Sequence, residues 1–203
     1  MDASFWDSRY SAAGYIYGTA PNAFVAAHAA LIPPGPVLCL AEGEGRNAVF
    51  FAVRGHPVTA MDQSAIGLAK AAQLAANNNV PLTTQVADLA HFPIEPNAWS
   101  AIVATFVHLP PPLRRLVHAR VAVGLRPGGV FLFEAYAPDQ VHYRSGGPVE
   151  QPELLVPLAD LRQEFPGLEL LIARELIRDL HEEPGHRGLG AVVQLAARKP
   201  VSE

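Results

Sequence analysis

The sequence predicts a single α/β domain built on a doubly wound, mostly parallel sheet of seven strands. Two patterns carry this prediction. Between residues 37 and 133, short apolar runs alternate with segments of helical periodicity, as in a parallel sheet covered by helices on both faces. Near the C-terminus, two strand-like runs flank the turn residues at 182–185, which predicts a terminal antiparallel hairpin. The length of 203 residues is that of one domain.

Each element is predicted from its apolar pattern and from the residues that begin and end helices. Strands are expected at residues 37–41, 57–61, 82–87, 99–106, 130–133, 168–180 and 190–198. Helices are expected at residues 46–54, from Ser64 to the asparagines at 77–79, at 111–123 and at 154–165. Gly55 is placed to end the first of these helices, and Ser64 to cap the second. In the third helix, one apolar stripe is expected to face the sheet: Leu113, Leu116, Val117 and Val121.

Composition excludes several classes of partner. The formal charge is −4 and the arginines are scattered, so there is no basic stripe and nucleic acid is not expected as a partner. Cys39 is the one cysteine, and the eight histidines show no ligand spacing such as HExxH, so no metal is expected. No apolar stretch approaches the roughly 20 residues that span a bilayer. We therefore expect no membrane association, and the cytoplasm is the default location.

A glycine turn connects the first predicted strand to the first predicted helix. Residues 41–47 read Ala-Glu-Gly-Glu-Gly-Arg-Asn; glycines let a ligand approach the main chain, and the helix N-terminus offers free N–H groups. With Ala48 the turn also fits the G-x-G-x-x-A fingerprint of nicotinamide cofactors, and Asp62 lies at about the distance expected for a ribose-binding acid. The turn by itself therefore leaves two cofactors open, a nicotinamide dinucleotide and S-adenosylmethionine.

Further motifs resemble those of the class I S-adenosylmethionine-dependent methyltransferases. They are residues 37–47, Asp88 at the end of the third predicted strand, and the Leu-Arg-Pro-Gly-Gly turn at 125–129. Residues 6–10, Trp-Asp-Ser-Arg-Tyr, and 17–22, Tyr-Gly-Thr-Ala-Pro-Asn, are similar to the branch with the tellurite-resistance and thiopurine methyltransferases, especially its small bacterial members. The resemblance implies a Rossmann-like methyltransferase fold and S-adenosylmethionine as the cofactor. It also implies a lid or helical segment at 1–35, a cofactor-binding half at 36–137, and a substrate-side loop, helix and hairpin at 138–203.

The resemblance assigns cofactor contacts residue by residue. Gly43 and Gly45 would line the amino-acid half of the cofactor, and Asp62 would accept hydrogen bonds from its ribose. The other expected contacts are Arg9, Tyr17, Ala41, Asn47, Gln63, Asp88, Leu89, Thr105 and Phe106. Two positions depart from the family, which usually has an acid at Cys39 and a glycine at Ala41. Glu42 is the expected replacement for the missing acid.

Aromatic residues are concentrated before the first strand, at Phe5, Trp6, Tyr10, Tyr15 and Tyr17. They are expected to form a lid that shields the sulfonium of the cofactor, because a cation is attracted to an aromatic face. A helix packed on the sheet is the other interpretation, and the two are compatible. Arg9 would bind the carboxylate of the cofactor or remain a surface charge.

The methyl acceptor is expected to be a small molecule. His108, after the fourth predicted strand, is the candidate general base, although a structural histidine explains it as well. His186 and Arg187 are candidate catalytic residues in the hairpin, with Tyr143, Arg178 and His181 as substrate contacts. Such cationic and donor groups would suit an oxyanion such as tellurite, and a thiol is the other candidate acceptor.

Two other functions remain open at the level of the sequence. The glycine turn and Asp62 also fit a nicotinamide-dependent oxidoreductase. The loss of the acid at Cys39 fits a protein that binds S-adenosylmethionine without turning it over. We expect a monomer or a homodimer.

Overall fold

The computed structural model describes residues 2–143, 145–182 and 186–201. Its strands are Val37–Leu40 (β1), Val58–Asp62 (β2), Thr83–Val86 (β3), Trp99–Thr105 (β4), Leu125–Tyr136 (β5), Glu169–Glu182 (β6) and His186–Arg198 (β7). Its α-helices are Ala3–Tyr10 (α1), Ala23–His28 (α2), Arg46–Val53 (α3), Ala65–Asn77 (α4), Pro111–Gly124 (α5) and Leu158–Glu164 (α6).

Within the described residues, seven strands form one sheet in the order β3-β2-β1-β4-β5-β7-β6. The pairs from β3 through β5 are parallel, whereas β7 runs antiparallel to both β5 and β6. The doubly wound, mostly parallel sheet and its terminal antiparallel hairpin are therefore confirmed. The order reverses direction next to β1, and in such sheets a ligand binds beyond the carboxyl ends of the strands at that point.

Strand β1 shows why a short, wholly apolar sequence lies at the centre of the sheet. Leu38 and Leu40 pack into the core cluster that contains Val117 of α5 and Leu161 of α6. Val37 and Cys39 point to the opposite face and pack into the cluster formed by α2, α3 and α4. Both faces are covered by helices, so every position of the strand is apolar.

Local signals place the helices close to their predicted positions. The Ser64 hydroxyl accepts a hydrogen bond from Gly67 N at 3.0 Å and caps α4, as expected. Gly55, with φ of +85°, follows the end of α3. Strand β5 begins five residues earlier than predicted because Leu125 pairs with Trp99, and an irregularity in register separates that pair from the rest of the ladder.

The predicted apolar stripe of α5 is wrong at one position. Leu116 is 44% exposed, whereas Arg114 and His118 are buried on the face toward α6. Arg114 binds Glu164 through Nε at 3.0 Å and Asp160 through Nη2 at 2.7 Å, and His118 Nδ1 lies 2.5 Å from Glu164. These contacts satisfy buried charges that an apolar pattern does not reveal. Helix α6 is shorter than predicted because it begins after Pro157.

The described residues between β5 and α6 pack against the rest of the domain. It contains two 3₁₀ turns, Pro138–His142 and Pro152–Leu154. The buried Gln140 amide accepts from Ala191 N at 2.8 Å, and Tyr136 Oη donates to Ser145 O at 3.1 Å. In the described part of the chain, no helix has the length and apolar character needed to cross a membrane.

Candidate active site

A cavity of about 490 Å³ lies beyond the carboxyl ends of β1, β2, β3 and β4. Ten of the thirteen residues predicted to contact the cofactor, together with His108, contribute to its wall. The predicted contacts in the wall are Tyr17, Ala41, Glu42, Asn47, Asp62, Gln63, Asp88, Leu89, Thr105 and Phe106. Asp2, Trp6 and Tyr10 of the N-terminal segment complete it on one side, and Pro110 and Leu113 on another.

The glycine turn is held by close packing. A Cβ on Gly43 would lie 2.5 Å from Tyr10 Oη, and a Cβ on Gly45 would lie 2.5 Å from the Cβ of Ala71. The two glycines therefore let α1 and α4 approach the turn, and neither is in the described wall of the cavity. Ala41, where the family usually has glycine, adopts φ of +47°, a left-handed conformation that strains a residue with a Cβ.

Glu42 caps the N-terminus of α3 from inside the cavity wall. Its Oε1 accepts hydrogen bonds from Asn47 N and Ala48 N, both at 2.8 Å. Burial raises the pKa of Glu42 to about 7, although the two backbone N–H groups and the nearby Arg46 oppose this shift. The Cys39 thiol is fully buried beside it, and burial raises the pKa of that thiol well above its usual range. Glu42 is therefore a buried acid next to Cys39, and its role as the replacement for the missing acid stays a prediction.

Asp62 connects the end of β2 to two neighbouring loops. Its Oδ2 accepts from Gly43 N at 2.8 Å and its Oδ1 accepts from Ser64 N at 2.8 Å. Burial raises the pKa of this carboxyl group. Across the cavity, the Asp88 side chain is exposed and accepts from Ala90 N at 2.8 Å. The wall thus has one buried and one exposed carboxyl group at the ends of adjacent strands.

A polar network that the sequence did not predict supports the wall near β4. Asn47 accepts from Asn22 N at 2.9 Å and donates through Nδ2 to Thr105 Oγ1 at 3.1 Å. Asn22 in turn donates to Glu134 Oε2 at 2.6 Å. Glu134 is the lone acid in the apolar sequence of β5. The position of Glu134 in an apolar strand could have indicated this network, because a charge in a buried strand requires partners.

The N-terminal segment is both a packed helix and part of the cavity wall. Tyr10 is buried, and its ring stacks on that of Trp6 with centroids 5.6 Å apart. Desolvation raises the pKa of Tyr10 above its usual range. Arg9 is not in the described wall; its Nε donates to Tyr17 Oη at 2.9 Å.

The described side chains of the predicted substrate cluster do not line the cavity. Arg178 forms a bidentate pair with the buried Glu134, with distances of 2.9 and 2.7 Å. His181 lies 3.2 Å from Asp179, and the side chains of His181 and Arg187 are exposed. Tyr143 packs against the main core. None of these four is in the described wall, and the His186 side chain lies outside the described part of the chain.

His108 is the predicted acceptor-side residue that lies in the cavity wall. Its ring stacks on Tyr136 with centroids 5.8 Å apart, and Tyr136 also contacts Phe106 at 4.9 Å. Phe106 adopts φ of +54°, which is uncommon for an aromatic residue and is often found at functional sites. Among the described residues, no three His, Cys, Asp or Glu side chains are grouped so as to hold a metal ion.

Solved structures share this fold. The chain superposes on a protein reported for the conversion of a disulfide bond into a thioacetal group during echinomycin biosynthesis, with a TM-score of 0.78, 18% identity, and coverage of 99% of this chain and 93% of that chain. TehB from Haemophilus influenzae superposes with a TM-score of 0.73 and 22% identity, over 97% of this chain and 66% of that chain. The cyclase SpnF superposes with a TM-score of 0.72 and 16% identity, over 98% of this chain and 95% of that chain. At these identities the likeness shows the fold alone.

No curated protein sequence matches this chain. A family model gives more specific evidence than the shared fold. Residues 37–129, from β1 to the turn within β5, match the model of the family described as "Methyltransferase domain". This span contains the glycine turn, Asp62 and Asp88. This match covers a little less than half of the chain, and it supports a methyltransferase enzyme.

Proposed function

We propose that the enzyme transfers a methyl group from S-adenosylmethionine to a small, uncharged acceptor, with a thiol as the first candidate. The observation that carries this proposal is the charge of the cavity wall. Five of its described residues carry carboxyl groups, at positions 2, 42, 44, 62 and 88, against the single guanidinium of Arg46. An acidic wall attracts a cofactor with a sulfonium and an ammonium group. The volume of about 490 Å³ is typical of sites for ligands of this size.

The proposed contacts follow the positions of the carboxyl groups. Asp62, at the end of β2, would accept from the ribose hydroxyls, and Asp88 with Leu89 and Gln63 would contact the adenine. Glu42 would bind the ammonium of the methionine part, beside Thr105 and Phe106. Trp6, Tyr10 and Tyr17 would exclude water from the sulfonium and stabilise its charge.

The same geometry argues against a nicotinamide dinucleotide. A pyrophosphate needs free N–H groups at the N-terminus of the helix after the glycine turn. Here the N–H groups of Asn47 and Ala48 are already donated to Glu42. A dinucleotide would therefore place two phosphates against an acidic cap whose N–H groups are occupied. This contact would be repulsive.

The acceptor is proposed to be uncharged for the same reason. An oxyanion such as tellurite would be repelled by the acidic wall, and the guanidinium of Arg178 is already bound to Glu134. A thiol needs only to lose a proton from a group whose usual pKa is about 8.5, and His108 is the proposed base. Binding also lowers the activation barrier, because it aligns the acceptor with the methyl group of the cofactor.

The test is methyl transfer from isotopically labelled S-adenosylmethionine to a panel of thiols, phenols, amines and chalcogen oxyanions, with the methylated products detected by mass spectrometry. We expect turnover with at least one thiol and none with tellurite. His108→Ala should lower kcat for the thiol by roughly 10²-fold or more. Arg187→Ala, at an exposed position outside the described wall, is the control and should leave kcat unchanged.

Two outcomes would contradict the proposal. Turnover of tellurite alone, lost in the Arg187→Ala variant, would place the acceptor at the hairpin. Cofactor binding without turnover of any panel member would favour a protein that binds S-adenosylmethionine without catalysis.

A further inference from the structure

Lys70 of α4 holds the loop that follows α1. Its Nζ donates to Ala12 O and Gly14 O, both at 2.7 Å, and to Glu44 Oε1 at 2.9 Å. All three hydrogens of the ammonium group can therefore be bonded to oxygen atoms from two other segments. The Lys70 side chain is 22% exposed and that of Glu44 is 4% exposed, so solvent screens this ion pair less than an exposed pair.

Glu44 extends the same contact to the glycine turn. Its Oε2 accepts from Ile16 N at 2.7 Å, while Oε1 accepts from Lys70. Tyr15 Oη also donates to Lys70 O at 3.3 Å. We call Lys70, Glu44 and residues 12–16 the latch, because two charged side chains connect a loop of the N-terminal segment to both α4 and the glycine turn.

The latch holds a segment that forms one side of the cavity. Asp2, Trp6 and Tyr10 line the cavity before the latch in sequence, and Tyr17 and Gly18 line it after. Helix α1 has eight residues, of which Tyr10 is buried. Isolated helices shorter than about 12 residues are marginal in water. The position of α1 therefore depends on tertiary contacts, which include the latch, the packing of the buried Tyr10 and the hydrogen bond from Ser64 Oγ to Asp7.

We propose that Lys70 is a positioning residue for the cofactor cavity: its ammonium group locks the N-terminal segment over the cavity through Glu44 and the carbonyls of Ala12 and Gly14. This proposal rests on the proposed function for the identity of the ligand. It does not require Lys70 to touch the ligand. If the closed segment is the state that binds, affinity falls in proportion to the fraction of molecules that are closed.

If Lys70 positions the N-terminal segment, its removal should change ligand affinity differently from what electrostatics alone would produce. Lys70→Met makes the acidic cavity more negative, so electrostatics alone would strengthen binding of the sulfonium cofactor relative to the uncharged sulfide, S-adenosylhomocysteine. Loss of the latch would instead weaken both ligands by the same factor. We expect the Kd of each to rise about tenfold, since charge-assisted hydrogen bonds are among the stronger ones in proteins.

The experiment combines calorimetry of both ligands with hydrogen exchange of residues 2–18 in the ligand-free protein. The control is Lys199→Met, which removes the only other lysine. Lys199 also donates to three oxygens, on Asn97, Val123 and Leu125, and it is outside the described cavity wall. Lys70→Met should speed exchange in residues 2–18 and weaken both ligands, while Lys199→Met does neither. Lys70→Arg should restore most of the affinity.

Several results would overturn the proposal. Unchanged exchange in Lys70→Met would show that the latch does not hold the segment, whether or not the wild type binds either ligand. Faster exchange with unchanged affinity would show that the segment does not shape the site. Tighter binding of the sulfonium ligand alone would leave only the electrostatic effect. Failure of the wild type to bind either ligand would instead reject the proposed function, and the exchange measurement would still decide the latch. Should Lys70→Met fail to fold, Glu44→Gln tests the same contact.

Discussion

At the scale of single residues, the wall of the cavity contains a buried acid, Glu42, shortly after β1. The family usually has an acid within β1, where this chain has the buried Cys39. Here Glu42 lies after the strand and its carboxyl group accepts two N–H groups of α3. Burial nevertheless raises its pKa to about 7. A buried acid of this kind decreases stability at neutral pH, and a raised pKa in the wall of a cavity marks a candidate functional residue.

Glu42→Gln should separate stability from binding. The folded-state pKa of Glu42, about 7, lies above the ordinary value of 4.5. Between these values the folded protein holds a proton that the unfolded chain releases, so this contribution to stability falls as pH rises. A shift of this size corresponds to roughly 3 kcal/mol at pH 8. Glutamine keeps an oxygen acceptor for Asn47 N and Ala48 N without the charge.

We therefore expect Glu42→Gln to raise the free energy of unfolding at pH 8, with little change near pH 4.5, and to weaken S-adenosylmethionine binding at pH 8. Denaturant unfolding at both pH values and calorimetry measure these effects. Glu95→Gln is the matched control, since it removes an exposed carboxyl group that lies outside the described wall. A loss of stability at pH 8 together with full affinity would mean that Glu42 is a structural cap.

At the scale of secondary structure, ion pairs connect α5 to α6 beside the apolar core that contains Val117 and Leu161. The guanidinium of Arg114 is 2% exposed and binds two carboxylates of α6. Burial raises the pKa of Glu164, but hydrogen bonds from His118 and Arg114 outweigh this effect and lower it. Removing Arg114 leaves the buried carboxylate of Glu164 and the partly exposed carboxylate of Asp160 without this counterion.

Arg114→Met should therefore lower the free energy of unfolding by about 3–5 kcal/mol at pH 7. Arg115→Met is the control, because the neighbouring arginine is exposed and surface substitutions change stability by about 0.5 kcal/mol or less. Denaturant unfolding measures both. Equal effects of the two substitutions would show that the buried pairs contribute no more than a surface charge.

The elements differ in how well the sequence predicted them. Strands β1, β2 and β4 and helices α3 and α4 were predictable because their signals are local, namely apolar runs, glycines and the Ser64 cap. The stripe of α5 was not, since the burial of Arg114 depends on Glu164, which lies 50 residues away. The ion pair between Arg178 and Glu134 was not predicted for the same reason. A cluster of cations in sequence resembles a binding site until its buried partner, Glu134, is located.

At the scale of the whole molecule, the sheet and the N-terminal segment bring the cofactor candidates to one cavity. Asp62 and Asp88 could be predicted because the carboxyl ends of parallel strands meet at one edge. Asn22 and Glu134 could not be placed, because their hydrogen bond joins residues that are 112 positions apart. The glycine turn alone could not distinguish two cofactors. The bonding of the Asn47 and Ala48 N–H groups to Glu42 supports the proposed choice of S-adenosylmethionine, and the sequence does not reveal these hydrogen bonds.

The most direct test of the account of this cavity is calorimetry of the wild-type protein with S-adenosylmethionine, S-adenosylhomocysteine and NAD⁺. We predict that the first two bind with Kd values of about 10⁻⁶ to 10⁻⁵ M, or free energies near −7 to −8 kcal/mol, and that NAD⁺ gives no heat. Binding of NAD⁺ without binding of S-adenosylhomocysteine, or no heat from any of the three at ~1 mM, would contradict it.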